Sequence, residues 1–108
     1  MTDWIRIADE SAIEDGEPFP SALDGVAIAL YRYEGAIYAI GDICPHEDVR
    51  LSDGWFDGDH IECPLHQSCF EIRTGKCIEG GPAYEDVPAY AVKVEDGGVF
   101  VRAGGGAA

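Results

Sequence analysis

Two short hooks constrain this chain more than any other feature: Cys44-Pro45-His46 and Cys63-Pro64-Leu65-His66, with 16 residues between His46 and Cys63. Together they offer two thiols and two imidazoles, four metal ligands of two chemical kinds. A chain that uses them must bring two loops over one object, on elements that end beside each other.

The rest of the sequence supplies such elements. Trp4–Ile7 is short and alternating. Val26–Tyr33 and Ala36–Ile40 flank Glu34-Gly35 and read as a hairpin with a two-residue turn. Trp55-Phe56 and His60–Cys63 flank Asp57-Gly58-Asp59, a second hairpin, which leaves the first hook and returns the chain to the second. Phe70–Arg73 alternates and stops at Thr74-Gly75. Ala89–Glu95 and Val99–Arg102 flank Asp96-Gly97-Gly98, a third hairpin. No stretch sustains a 3.6-residue period; Ser11–Glu14 could make one helical turn at most. Many short strands with Gly-rich turns predict an all-β fold, a small antiparallel sandwich or barrel. Asp9–Asp24 and Glu79–Pro88 read as loops, and the Gly/Ala tail over 104–108 as a frayed end with nothing to pack.

With 108 residues, the expectation is one domain, over 1–103. A hydrophobic share of 46% is enough for a compact core, and a domain this small profits from a metal clamp. The net charge is −14, from 21 acidic and 7 basic residues. That balance excludes nucleic acid and anionic membranes as partners, since both need cationic groups on the protein. It allows a steering field toward a basic protein. No apolar run approaches the ~20 residues of a membrane span. The N-terminus shows no basic region followed by an apolar stretch, so the expected location is cytoplasmic. There, mixed Cys and His point to metal ligation before disulfides.

The mixed hooks select among metals. Zinc could accept two cysteines and two histidines. Zinc fingers, however, pair Cys with Cys and His with His in separate hooks, and here each hook holds one of each. Thiolate on one iron and imidazole on the other is the ligation of a Rieske [2Fe–2S] centre. Cys44 and Cys63 would take the inner iron, and His46 and His66 the outer one nearer the surface. A ferric [2Fe–2S] core carries about two positive charges, which two thiolates neutralise where four would leave about −2. Electron uptake is therefore easier than in a four-cysteine centre. The imidazoles add a proton-linked lever, so the potential falls as pH rises past a ligand pKa.

These residues carry a resemblance. Cys44-x-His46, sixteen residues, then Cys63-x-x-His66, with Leu51-Ser52-Asp53-Gly54 and Arg73-Thr74-Gly75-Lys76 around them, resembles the small Rieske ferredoxins of bacterial aromatic-ring dioxygenase systems. The likeness runs from about Val26 to Val101. It implies a Rieske fold, an antiparallel base carrying a cluster-binding subdomain at about 43–83, with one [2Fe–2S] cluster per chain. It also implies a one-electron carrier, not an enzyme, between a flavin-dependent NAD(P)H ferredoxin reductase and a terminal oxygenase in aromatic compound degradation. A monomer is the default for such a shuttle. The competing function is a fixed small Rieske-type subunit of an assimilatory nitrite reductase. Gly80-Gly81-Pro82-Ala83 resembles the proline-containing loop that covers the cluster in this family.

The other notable residues have plainer readings. His60 reads as a solvated strand residue. Cys69 and Cys77 read as small hydrophobes in place of a redox pair or second metal site. Trp55 and Phe56 read as packing at their hairpin, and Asp9–Glu17 as a solvated acidic surface.

Departures from the respiratory members of the family locate the chain further. Those proteins have an extra cysteine in each hook, forming a disulfide; here Val49 and Leu65 stand at the matching places. Phe70 stands where they have a tyrosine whose hydroxyl donates to the cluster. Both changes indicate a low potential. Ser68 pulls the other way, because those relatives place a serine there that bonds a cluster sulfide. Redox titration of Ser68→Gly is expected to give a lower midpoint than the wild type; an unchanged midpoint removes Ser68 from the residues that set it.

Overall fold

The computed structural model describes residues 4–23, 25–44, 49–64, 69–79 and 86–102. Within them eleven strands form three antiparallel sheets. The central sheet contains β2 (Phe19–Leu23), β3 (Val26–Tyr33), β4 (Ala36–Gly41) and β9 (Ala89–Tyr90), in the order β2-β3-β4-β9. A second sheet joins β1 (Trp4–Asp9), β11 (Gly98–Arg102) and β10 (Val92–Glu95) in that order. The third contains β5 (Trp55–Asp57), β6 (His60–Glu62), β7 (Cys69–Glu71) and β8 (Cys77–Glu79), in sequence order. The all-β antiparallel expectation holds.

β3 shows why the layers stack as they do. Ile28, Ala29, Leu30 and Tyr31 are all buried, so neither face of the strand meets water. Successive side chains point to opposite faces. Ile28 and Leu30 join a core with Val99 and Val101 of β11, while Ala29 and Tyr31 join a core with Ile61 of β6 and Phe70 of β7. The central sheet is thus covered on one face by the terminal strands and on the other by the third sheet. β1 lies against β2 and β10 against β4, which gives the base its barrel-like closure.

The turns follow from backbone chirality. In the β3–β4 hairpin Glu34 and Gly35 both take positive φ, 53° and 83°, as a tight two-residue turn with the right twist requires. The β10–β11 hairpin does the same with Asp96 and Gly97 at 52° and 78°. Its turn is therefore two residues and not the expected three, because Gly98 pairs with Glu95 inside the ladder.

Three further expectations are corrected. Asp9–Asp24 is not one loop: β2 lies within it and pairs along its whole length with β3. Pro20 hides this strand in the sequence, and it is tolerated because β2 is a sheet edge, where a missing donor costs no ladder bond. The acidic residues before it are anchored too, since the Arg32 guanidinium donates to the carbonyls of Ile13 (2.7 Å) and Glu10 (2.8 Å). Ala89–Glu95 is not one strand but two, β9 and β10, which belong to different sheets with Ala91 at the crossing. Finally, Phe56 packs as expected, edge-on to Tyr31 with ring centroids 4.9 Å apart, but Trp55 on the opposite face is 61% exposed.

Gly54 fixes how the third sheet meets the chain before it. A Cβ at this position would collide with the carbonyl oxygen of Glu62 and crowd Pro64. Gly54→Ala is expected to lower stability in chemical denaturation by about 1–3 kcal/mol, the usual cost of overpacking a closed contact.

Candidate metal centre

Both hook cysteines follow closely on the ends of strands. β4 ends at Gly41, and three residues later Cys44 is 2% exposed; β6 ends at Glu62, and Cys63 follows at 0%. Both thiols belong to the core between the central and third sheets, with Leu51, Ile61 and Phe70 among its members. Strands at positions 36–41 and 60–62 thus deliver two cysteines, distant in sequence, into one apolar interior. His46, His66, Ser68 and Pro82 lie outside the described residues, as do Pro45, Glu47, Asp48, Leu65 and Gln67.

The stem of the first hook is closed by backbone bonds. Cys44 N–H donates to Val49 O (3.0 Å), Leu51 N–H donates to Asp42 O (2.7 Å), and Ile43 bridges Arg50. Residues 42–44 and 49–51 are therefore held together as two paired arms. The 3₁₀ turn Leu51–Asp53 then directs the chain into β5, and Gly54 brings it against Glu62 and Pro64 beside Cys63.

Two polar groups that motif reading missed sit in this region. Asp42 is fully buried, two residues before Cys44. Burial pushes its carboxyl pKa up, opposed by hydrogen bonds from Ser52 and Arg50. Tyr31 is also fully buried; burial, with the Asp42 charge adding to it, pushes its hydroxyl far above the ordinary value. The Tyr31 hydroxyl has no hydrogen-bond partner among the described residues. An acidic residue at the end of an apolar strand was the signal available for Asp42. Tyr31 left none, because a tyrosine in a β-rich run is ordinary.

The remaining residues follow their plainer readings. His60 is half-buried, with Nδ1 3.4 Å from Asp59 Oδ1. Cys69 is buried, and Cys77 packs partly buried against the same core as the two hook cysteines.

The residues present suit an iron–sulfur cluster. Two soft thiol donors are buried together, where a thiolate needs a bound cation to offset its charge. The Tyr31 hydroxyl, without a partner among the described residues, is buried in the same core.

Comparison with known proteins agrees. Residues 3–91 match the Rieske [2Fe–2S] domain family. The chain belongs to the Rieske [2Fe–2S] ferredoxins. It is 40% identical over 93 residues to the ferredoxin component of the naphthalene 1,2-dioxygenase system of Pseudomonas putida, covering 86% of this chain and 88% of that one. It is 33% identical over 106 residues to the anthranilate 1,2-dioxygenase ferredoxin subunit of Burkholderia cepacia, covering 96% and 95%. Among solved structures, the Sphingomonas yanoikuyae B1 ferredoxin superposes with a TM-score of 0.87 at 32% identity, covering 93% of this chain and 98% of that one. A complex of reduced oxygenase and oxidised ferredoxin in carbazole 1,9a-dioxygenase contains a chain that matches with a TM-score of 0.89 at 29% identity, over 100% of both. The Rieske ferredoxin is an electron carrier and not a catalyst, and its cofactor is a [2Fe–2S] cluster. These relatives favour the carrier over the nitrite reductase subunit.

Cys44→Ser and Cys63→Ser are each expected to abolish the visible absorbance of the purified protein and its iron content. Full retention of colour in either variant would remove that cysteine from the ligand set.

Proposed function

We propose that this Rieske ferredoxin carries single electrons from a flavin-dependent NAD(P)H reductase to the terminal oxygenase of an aromatic-ring dioxygenase system. The burial of Cys44 and Cys63 in one core, at the start of hooks that also contain His46 and His66, carries this reading. These four residues would hold the cluster, within a cluster-binding subdomain at about 43–83 of a domain spanning 1–103. Cys44 and Cys63 would supply the two thiolates from the protein interior, and His46 and His66 the two imidazoles. When bound, the cluster would supply reversible one-electron chemistry.

The chain's own residues do the rest. The third sheet and the stem of the first hook position the thiols and keep water from them. Ile43, exposed at the base of the first hook, offers apolar surface beside it. With Pro45, Glu47, Asp48, Leu65, Gln67 and Pro82 it would make a small, partly charged docking face. The net charge of −14 would steer that face toward a basic partner surface. We read the chain as a cytoplasmic monomer; among the described residues no helix is long and apolar enough to cross a membrane.

Reconstitution tests the proposal. Adding the ferredoxin to a reductase and an aromatic-ring oxygenase should restore NAD(P)H-dependent hydroxylation; a mixture that stays inactive, with each partner competent alone, overturns it. The rate of ferredoxin reduction should fall about tenfold between roughly 0.01 and 0.5 M salt, where surface charges are screened. A salt-independent rate excludes charge-guided encounter.

A further inference from the structure

Among the described residues Asp42 is the one buried charged side chain. It stands between the last residue of β4 and Cys44, and three donors converge on its carboxylate. Ser52 N–H reaches Oδ1 at 2.8 Å, Ser52 Oγ reaches Oδ2 at 2.7 Å, and the Arg50 guanidinium reaches Oδ2 at 3.1 Å. Its backbone is held as well: the N–H donates to Ala27 O (3.1 Å) in β3, and the carbonyl accepts from Leu51 N–H (2.7 Å). Asp42 thus joins three segments: the central sheet through Ala27, the outgoing arm of the first hook through its own chain, and the returning arm through residues 50–52. That returning arm runs on to Gly54, which abuts Glu62 and Pro64 on either side of Cys63. The position of Asp42 is therefore passed to both hook cysteines through closed contacts.

The group has to be a carboxylate. An asparagine could accept from the Ser52 N–H through its one oxygen, but its amide would then present N–H donors toward Arg50, itself a donor. Only the anion accepts from all three partners.

We propose that Asp42 is a positioning residue for the [2Fe–2S] cluster, pinning Arg50 and Ser52 so that Cys44 is held in fixed relation to Cys63. This rests on the reading of those two cysteines as ligands. The pin also fixes a negative charge two residues before Cys44, paired with the Arg50 cation. A negative charge there opposes electron uptake and a positive charge favours it.

Three variants test this, with the purified holoprotein followed by visible absorbance during chelator treatment and by redox titration. Asp42→Asn should bleach severalfold faster than the wild type and show a higher midpoint. Arg50→Gln should show a lower midpoint. Ser52→Ala, which keeps both charges but loses one bond of the pin, should bleach faster with its midpoint near that of the wild type. Opposite midpoint shifts in Asp42→Asn and Arg50→Gln are not expected from loosened packing alone. Wild-type bleaching rates in both Asp42→Asn and Ser52→Ala overturn the proposal, as do midpoints for Asp42→Asn and Arg50→Gln that are unchanged or move together. If Asp42→Asn does not accumulate folded, the bleaching of Ser52→Ala and the midpoint of Arg50→Gln decide. A wild type that binds no cluster, or a Cys44→Ser variant that retains it, overturns the ligand reading instead.

Discussion

Burial of both faces of β3 is the constraint on which this structure depends. The strand places Ile28 and Leu30 in one core and Ala29 and Tyr31 in the other. One core holds the terminal strands against the central sheet. The other holds the third sheet, and with it both hook cysteines. Alternation along a single strand therefore couples the stability of the base to the placement of the metal ligands. A shift of one residue in the β3–β4 register would exchange the two sets of side chains, and the thiols would lose the apolar surface they pack on. The turn at Glu34-Gly35 guards against such a slip, because its positive φ values suit a two-residue connection at that point.

The attachment of the third sheet is completed at its far end by polar contacts. Arg73, just after β7, lies over the Tyr33 ring at 5.3 Å from its centroid and is 3.8 Å from Glu34 and 4.0 Å from Asp59. Ile72 N–H donates to Asp59 O at 2.9 Å. Exposed ion pairs of this length contribute little singly. Here they join three turns, one of the base and two of the third sheet, and their value lies in orientation. An electron carrier must present its centre in one geometry to each partner it meets, so a fixed angle between the two sheets matters more than a few tenths of a kcal/mol.

Local signals carried the sequence reading a long way. The hairpins at Glu34-Gly35, Asp57-Gly58-Asp59 and Asp96-Gly97-Gly98 announce themselves by turn chemistry, although the last two turns are each one residue shorter because Asp57 and Gly98 pair inside their ladders, and the hooks announce themselves by ligand type and spacing. What stayed hidden depended on neighbours that a sequence does not reveal. β2 contains Pro20 and reads as a loop until β3 is seen to pair with it. The division of Ala89–Glu95 depends on which sheet each half joins, and nothing in the residues from Ala89 to Val92 states that. Trp55 and Phe56 are adjacent and both aromatic, yet only Phe56 faces Tyr31. Of the candidate ligands, Cys44 and Cys63 fall in one core, as their hooks implied. Asp42 and Tyr31 gained meaning only from the groups around them.

Asp42 shows how such a context-dependent residue can be stable. Removing a carboxylate from water costs several kcal/mol unless its oxygens are satisfied. Here Oδ1 has one donor and Oδ2 two, one of them cationic. Hydrogen bonds to an ionised group are about twice as strong as neutral ones, so three of them offset much of the desolvation. Arg50 also remains half-exposed and keeps part of its hydration, so only one of the two charges bears the full cost of burial. An apolar pair at these positions would avoid that cost, but would not join Ser52 and Arg50 to one atom group with a defined direction. The arrangement gives up some stability for a stiff joint at the point where β4 becomes the first hook, and a carrier that must keep its ligands in place through repeated encounters has a use for stiffness there.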